Sequence, residues 1–163
     1  MIQAVAAFDG YIRGSVTFIQ KPNSEIVEIE GHLKGFQHFV TGRPQSKHGM
    51  HIHVNGDLRQ GCHTACDHFN PLNKDHGDLN DWNSHAGDLG NIIVDNNGHS
   101  HFKFRTRKIS LTYSINNIIG RTLIIHSDED DLGKGGHHDS FKTGHSGSKI
   151  ACAVIGIHQK SCA

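Results

Sequence analysis

Between residues 26 and 35 apolar and polar positions alternate. Val27, Ile29 and Leu33 fall on one face of an extended chain, and Glu28, Glu30, His32 and Lys34 fall on the other. A two-residue period of this kind predicts a strand with one buried face. Shorter runs repeat the signal. Residues 4–8 and 14–19 flank a turn at Asp9-Gly10, so positions 1–46 read as three strands, and a fourth begins at His48. LGNIIVD and GHSHFKF, joined at Asn96-Asn97-Gly98, carry a strong hairpin signal. Residues 109–113, 121–126 and 149–157 bring the total to about eight. Helical periodicity is scarce. The pattern predicts an all-β sandwich or barrel.

Two segments, about 55–88 and 127–148, have neither period and are rich in Gly, His, Asp and Asn. Loops this long inside a compact domain are uncommon, and they are usually either functional or disordered. The first holds His63, His68, His76, His85 and Asp88, so a bound metal is the natural agent to order it. With 163 residues, no internal repeat and no linker, the chain reads as one domain spanning 1–163.

Composition narrows the chemistry. Formal charge balances at zero, which gives no reason to expect a nucleic-acid or acidic-lipid partner. No apolar run approaches membrane-spanning length. The start, MIQAVAAFDG, lacks the basic segment and long apolar run of a secretory signal, so a cytoplasmic, intracellular location is expected. Histidine is the unusual residue: 16 of them, equal to all lysines and arginines together, and dispersed rather than contiguous as a tag would be. Imidazole is the commonest nitrogen ligand for zinc and copper, so the excess points to metal chemistry. The four cysteines, Cys62, Cys66, Cys152 and Cys162, are too few and too badly spaced for a tetrathiolate zinc site.

His51-Ile52-His53 ends a strand. Residues two apart share a face at roughly 6.5–7 Å along the backbone, close enough to converge on one ion. His126 ends a second apolar strand, RTLIIH. Alone, a His-x-His pair is weak evidence and a lone strand-end histidine is more often an edge residue. The signal sharpens when the groups are combined.

Combined, HGMHIH, GCHTACDHFNP, HGDLNDWNSHAGDLGN, GRTLIIHSDEDDLGKGG and TGHSGSKIACAVIGI resemble the copper/zinc superoxide dismutases, in order and over nearly the whole chain. The resemblance implies an eight-stranded Greek-key β-barrel or sandwich with two long functional loops. It implies dismutation of superoxide to oxygen and hydrogen peroxide, with copper and zinc as cofactors. It assigns His51, His53, His68 and His126 to copper, and His68, His76, His85 and Asp88 to zinc. Seven side chains then serve two four-ligand sites, so His68 must be shared through both ring nitrogens, and it doubles as proton donor. Asp130 matches an aspartate that hydrogen-bonds one imidazole of each metal, here His51 and His76. Cys62 and Cys152 match the family's internal disulfide, although a disulfide is unusual in a reducing compartment. Cys66 and Cys162 are then expected to be free thiols.

The chain departs from the family in several places. Lys149 stands where a channel arginine is usual, which keeps the charge that attracts and positions the superoxide anion and loses the planar fork. His138 and Asp139 replace two acids in the second loop, and His137, His138 and His145 make its charge sensitive to pH. Val54-Asn55-Gly56 lacks the usual aromatic residue of the dimer contact, while Ile119-Gly120 and Ile155-Gly156-Ile157 keep its apolar pieces, so a homodimer is expected. A copper donor or chaperone is a further expected partner. The competing reading is a copper-chaperone-like or metal-sequestering protein on the same domain. Against it stand the four copper candidates and the lack of a separate Cys-containing delivery module.

Overall fold

The computed structural model describes residues 1–38 and 46–158. Cys162, expected as a free thiol, lies outside them. The strands are β1 (Ile2–Asp9), β2 (Arg13–Gln20), β3 (Val27–Lys34), β4 (Ser46–His53), β5 (Arg59–Cys62), β6 (Asp88–Val94), β7 (His99–Thr106), β8 (Thr122–His126) and β9 (Lys149–Ile157). All but β5 form one antiparallel sheet in the order β6-β4-β8-β9-β1-β2-β3-β7, curled into a nearly closed barrel.

The alternation read from the sequence builds the wall. In β3, Val27, Ile29 and Leu33 are buried, while His32 and Lys34 face solvent. Phe18, Ile29, Phe36, Met50, Ile52, Leu123, Ile125 and Ile155 fill the interior, each of the largest worth about 1.5–3 kcal/mol of transfer free energy. Small residues make room for large ones. A Cβ on Gly31 would lie 2.2 Å from the Phe102 ring, its partner across β3–β7, so a larger residue there would displace that ring.

Three sequence expectations change. The Asn96-Asn97-Gly98 turn forms, with Gly98 N–H donating to Asp95 and Asp95 N–H to His99. It does not make a hairpin, because β6 and β7 are the two edge strands of the sheet. Their approach, with Ser100 Oγ donating to the Ile93 carbonyl at 2.8 Å, is where the barrel almost closes. Residues 109–113 are not a strand either. Ile109 and Leu111 are buried as a strand's would be, but side chains take the backbone partners. Gln20 Oε1 accepts from Leu111 N–H at 2.7 Å, and Ser110 Oγ accepts from Thr112 N–H at 3.1 Å. Local side-chain acceptors of this kind compete with a ladder. Finally, the two long loops carry short elements: β5 and a 3₁₀ turn (His63–Ala65) in the first, and α1 (Ser140–Thr143) in the second.

The two loops pack on one side of the barrel. Along β4, Met50 and Ile52 point into the core while His51 and His53 point outward, yet all four are buried. The first loop covers them through backbone bonds: Phe69 N–H to Ile52 at 2.7 Å, Ile52 N–H to Gly87 and Gly87 N–H to Phe69, both at 2.9 Å. A disulfide, Cys62–Cys152, ties this loop to β9 across 90 residues of sequence. The second loop docks through Gly49 N–H to Asp128, and it meets the first through His76 N–H to Phe141. Among the described residues, no helix is long and apolar enough to cross a membrane.

Candidate metal centre

Between the outer wall of β4–β8 and the two loops, imidazoles crowd together. His51 and His53 come from β4, His126 from the end of β8, and His68 from the first loop, where it pairs with His53 through an isolated bridge. Register shifts between Gly49 and His51 in β4, and between Ile125 and His126 in β8, put a backbone irregularity beside each outer histidine. Bulges re-aim side chains in this way next to functional sites. The His53 and His126 Nε2 atoms lie 3.4 Å apart, and the His51 and His68 ring centroids 4.1 Å apart.

On the other side of His68 a second set converges. Asp88 Oδ1 is 3.0 Å from His68 Nδ1, 2.9 Å from His76 Nδ1 and 3.2 Å from His85 Nδ1. His85 Nδ1 and His68 Nδ1 are 3.4 Å apart. Asp88 Oδ2 is turned away and accepts the backbone N–H groups of Gly77 and His85. Four ligands bonded tetrahedrally to zinc at about 2.0–2.1 Å sit about 3.3 Å from one another. The observed spacings have that size. His51 also lies within 4.8 Å of His68, His76 and Asp88. His85 is the better fourth member of this set, because its Nδ1 is in direct contact with both Asp88 Oδ1 and His68 Nδ1.

Among the described residues, three buried ring nitrogens have no hydrogen-bond partner: His51 Nδ1, His68 Nε2 and His76 Nδ1. His76 Nδ1 is near Asp88 Oδ1 without being aligned on it, as two atoms aimed at a common point would be. Leaving such groups unpaired costs about 1–3 kcal/mol each. Two cations, one on each side of His68, would satisfy all three. A set of six imidazoles and one carboxylate suits copper and zinc in softness as well.

The outer nitrogens of these rings are held by the protein. Asp130 receives His51 Nε2 at 2.8 Å on one oxygen and His76 Nε2 at 2.7 Å on the other. His53 Nδ1 donates to the Cys66 carbonyl at 2.6 Å. His126 Nδ1 lies 3.3 Å from the Gly147 carbonyl. Each contact fixes a tautomer and turns the other nitrogen inward. Gly144 makes the Asp130 bridge feasible. It is left-handed at φ 67°, and a Cβ there would lie 2.0 Å from Asp130 Oδ1.

Electrostatics follow from burial and these partners. Burial drives His53, His68 and His126 toward the neutral form, with His68 pushed down to about 3 and His126 to about 2. Burial also opposes charge on His76, but the hydrogen bond its Nε2 gives to Asp130 and the negative charge of nearby Asp88 overcome it and hold the ring up to about 9. Burial raises Asp88 and Asp130. Their imidazole partners outweigh it and keep both carboxyls well below the usual range.

A cavity of about 860 Å³ opens onto His53, His68 and His126, with Lys149, Lys142 and Thr143 along its wall. Lys149 Nζ donates to the Cys66 carbonyl at 2.7 Å, so one backbone oxygen anchors both this cation and the His53 ring. Cys66 itself is exposed and unpaired as a thiol, as expected. Asp139, in the second loop, accepts from His145 Nδ1 at 2.7 Å, and His145 stacks on His137 at 3.7 Å.

The structure thus brings together His51, His53, His68, His76, His85, Asp88, His126 and Asp130, with Lys149 on the adjoining cavity wall, and leaves His63 exposed outside both groups. Two contributors were missed. His48 is buried and its Nδ1 meets the His126 carbonyl at 2.8 Å. Asn91 pairs with the Asp130 backbone through both its amide groups. His48 was visible three residues before His51, but an odd spacing on a strand places it on the opposite face and hides the link. Asn91, within GDLGN, had no signal of its own.

Residues 12–155 match the family model of copper/zinc superoxide dismutase. A "Superoxide dismutase [Cu-Zn]" of Paramecium bursaria Chlorella virus 1 is 43% identical over 98% of this chain and 81% of its own length. One from Cryptococcus neoformans var. grubii is 42% identical, covering 96% of this chain and 99% of its own. A solved structure titled as the clock protein EA4 superposes with a TM-score of 0.86 at 41% identity, over 96% of this chain and 94% of that one.

Proposed function

The chain belongs to the copper/zinc superoxide dismutase family, and from that premise we propose which of its side chains carry the dismutation of superoxide. Copper is held by His51, His53, His68 and His126, and zinc by His68, His76, His85 and Asp88, within one dismutase domain spanning 1–163. The observation that carries this reading is His68. Its Nδ1 faces Asp88 and His85, while its Nε2 is buried and unpartnered on the side of His51, His53 and His126.

When bound, copper supplies a one-electron redox couple, and zinc, which has no redox chemistry, supplies fixed positive charge. Two superoxide anions and two protons give one oxygen and one hydrogen peroxide, so the chain must attract an anion twice and deliver protons. Lys149 does the first. Its ammonium stands on the cavity wall beside His53 and His126, held there by the Cys66 carbonyl. A positive charge at the mouth of a cleft raises the encounter rate of a small anion. His68 Nε2 does the second, holding a proton in the reduced half of the cycle and giving it up to the departing peroxide. Asp130 and the Cys66 carbonyl keep the rings from turning while His68 changes protonation state.

Three finer features complete the proposal. The chain pairs with a second copy through the exposed apolar side chains of Val54, Val154 and Ile157. It receives copper from a donor protein. It works inside the cell, where an exposed unpaired thiol such as Cys66 persists reduced. Metal analysis combined with a superoxide-consumption assay tests the site. Wild type should carry one copper and one zinc. His68→Ala should lose dismutation by at least about a thousandfold, on the scale of removing a group that acts in the chemical step. His76→Ala should chiefly lose zinc and loop order. Full activity in His68→Ala with copper loaded would refute the assignment.

A further inference from the structure

A second group of metal-ligating side chains lies outside the buried centre. His32 on β3 and His101 on β7 are directly opposed across the strand pair, and Glu30 is two residues before His32 on the same outward face. Their ligand atoms lie within 4.8 Å of one another. Glu30 Oε1 is 3.5 Å from His32 Nε2 and 3.9 Å from His101 Nε2. β3 and β7 make no ladder with β4 or β8, the strands that carry His51, His53 and His126.

We propose that Glu30, His32 and His101 form an exchangeable site for a borderline divalent cation, zinc or copper(II), on the outer wall of the barrel.

The ligand set is the first argument. Two imidazoles and a carboxylate, with water completing the shell, match the nitrogen and oxygen preference of these ions. Ligands on zinc at about 2.0–2.1 Å stand about 3.3 Å apart, so distances of 3.5 and 3.9 Å need only a small contraction.

The carboxylate is the second. Lys103 Nζ holds Glu30 Oε2 at 2.9 Å, which leaves Oε1 turned toward both rings. An outer partner that orients a ligating carboxylate is what metal sites commonly use.

The third is rigidity beneath and freedom above. β3 and β7 pair without interruption from Val27–Thr106 to Lys34–His99, and Phe102 over Gly31 pins that register from the opposite face. A slip separating His32 from His101 would also eject the buried side chains. The two rings are stacked, with centroids 4.0 Å apart and planes 20° apart. To share one ion they must splay. Both are about two-thirds exposed, and rotation about their broad χ2 torsion is inexpensive.

The test uses untagged holoenzyme with its buried sites filled, titrated with zinc by calorimetry. Wild type should bind one further equivalent. His32→Ala and His101→Ala should each weaken that binding at least tenfold, and Glu30→Gln several-fold. His99→Ala, on the same face of β7, should leave it unchanged. Dismutation before zinc addition should be equal in all four variants, which shows that the barrel is intact. No further equivalent in wild type, or one that survives both His32→Ala and His101→Ala, overturns the proposal. A loss in His99→Ala as large as in His101→Ala overturns the assignment of these three ligands.

Discussion

The barrel has two unlike halves. In β1-β2-β3-β7 the ladders run without a register shift, and one face is apolar while the other meets water. In β6-β4-β8-β9 the register breaks at Gly49/His51 and at Ile125/His126, and β8 is buried along both faces. The first half shows what strand physics gives unassisted. The second shows what a buried site demands: irregular backbone that aims imidazoles outward, and two long loops that cover them. The regular half needs only its apolar face to hold. The other half depends on groups that satisfy one another's charge, and it should therefore be the half that solution conditions and polar substitutions break.

Acid is the strongest way to break it in metal-free protein. His53, His68 and His126 are held below the ordinary imidazole value of 6.5 by burial, His68 to about 3. Between about 6.5 and 3 the unfolded chain binds protons that these rings do not, so stability falls as pH falls through that window. Each ring adds up to about 1.4 kcal/mol per pH unit. His76, held up to about 9, acts oppositely: its contribution is full below 6.5 and is lost as pH rises through 9. Urea titrations of chelated protein should show a maximum near neutrality, a steep acid side and a shallower alkaline one.

Cutting the strap is next. Cys152→Ser opens a loop spanning a separation of 90 residues, worth about 4–5 kcal/mol in the chain-entropy model. Equilibrium unfolding should lose most of that, with zinc retention falling alongside because the first loop is freed. Asp130→Ala then probes the bridge between the two metals' ligands. Metal affinity should drop by about ten- to a hundredfold, the usual cost of losing such an outer partner. Competition with a chelator reads it. An equal loss of unfolding free energy on Ile29→Ala, a core residue of the regular half, should leave metal affinity untouched.

The smallest effect is at the cavity wall. Lys149→Gln should lower the second-order rate several-fold and flatten its dependence on ionic strength. Lys149→Arg should match or exceed wild type, since the charge is kept and a planar fork is gained. A salt profile unchanged in Lys149→Gln, with copper fully loaded, would remove Lys149 from substrate steering.

The regular half was legible in the sequence because each side chain there is explained by its own strand. Val27, Ile29 and Leu33 declare their face without knowledge of any other segment. The candidate site was legible residue by residue through the family resemblance, and its reason was not. His51 and His53 share a face by local periodicity, but nothing local says that Asp130, 79 residues away from His51, will hold its outer nitrogen. The turn at Asn96-Asn97-Gly98 misled for the same reason: turn chemistry is local, while the choice between pairing β6 with β7 and leaving both as edges is made by the whole sheet. Residues 109–113 misled because Ile109 and Leu111 are buried without a ladder, and Gln20 from a distant strand takes the backbone donor.

The central claim is that seven side chains hold two ions by sharing one imidazole. The direct measurement is a crystal structure of the oxidised, fully loaded protein with anomalous data at the copper and zinc edges. Copper should lie on His68 Nε2 with His51, His53 and His126, and zinc on His68 Nδ1 with His76, His85 and Asp88. Two ions with no common ligand, or zinc bound by His51 in place of His85, would contradict it.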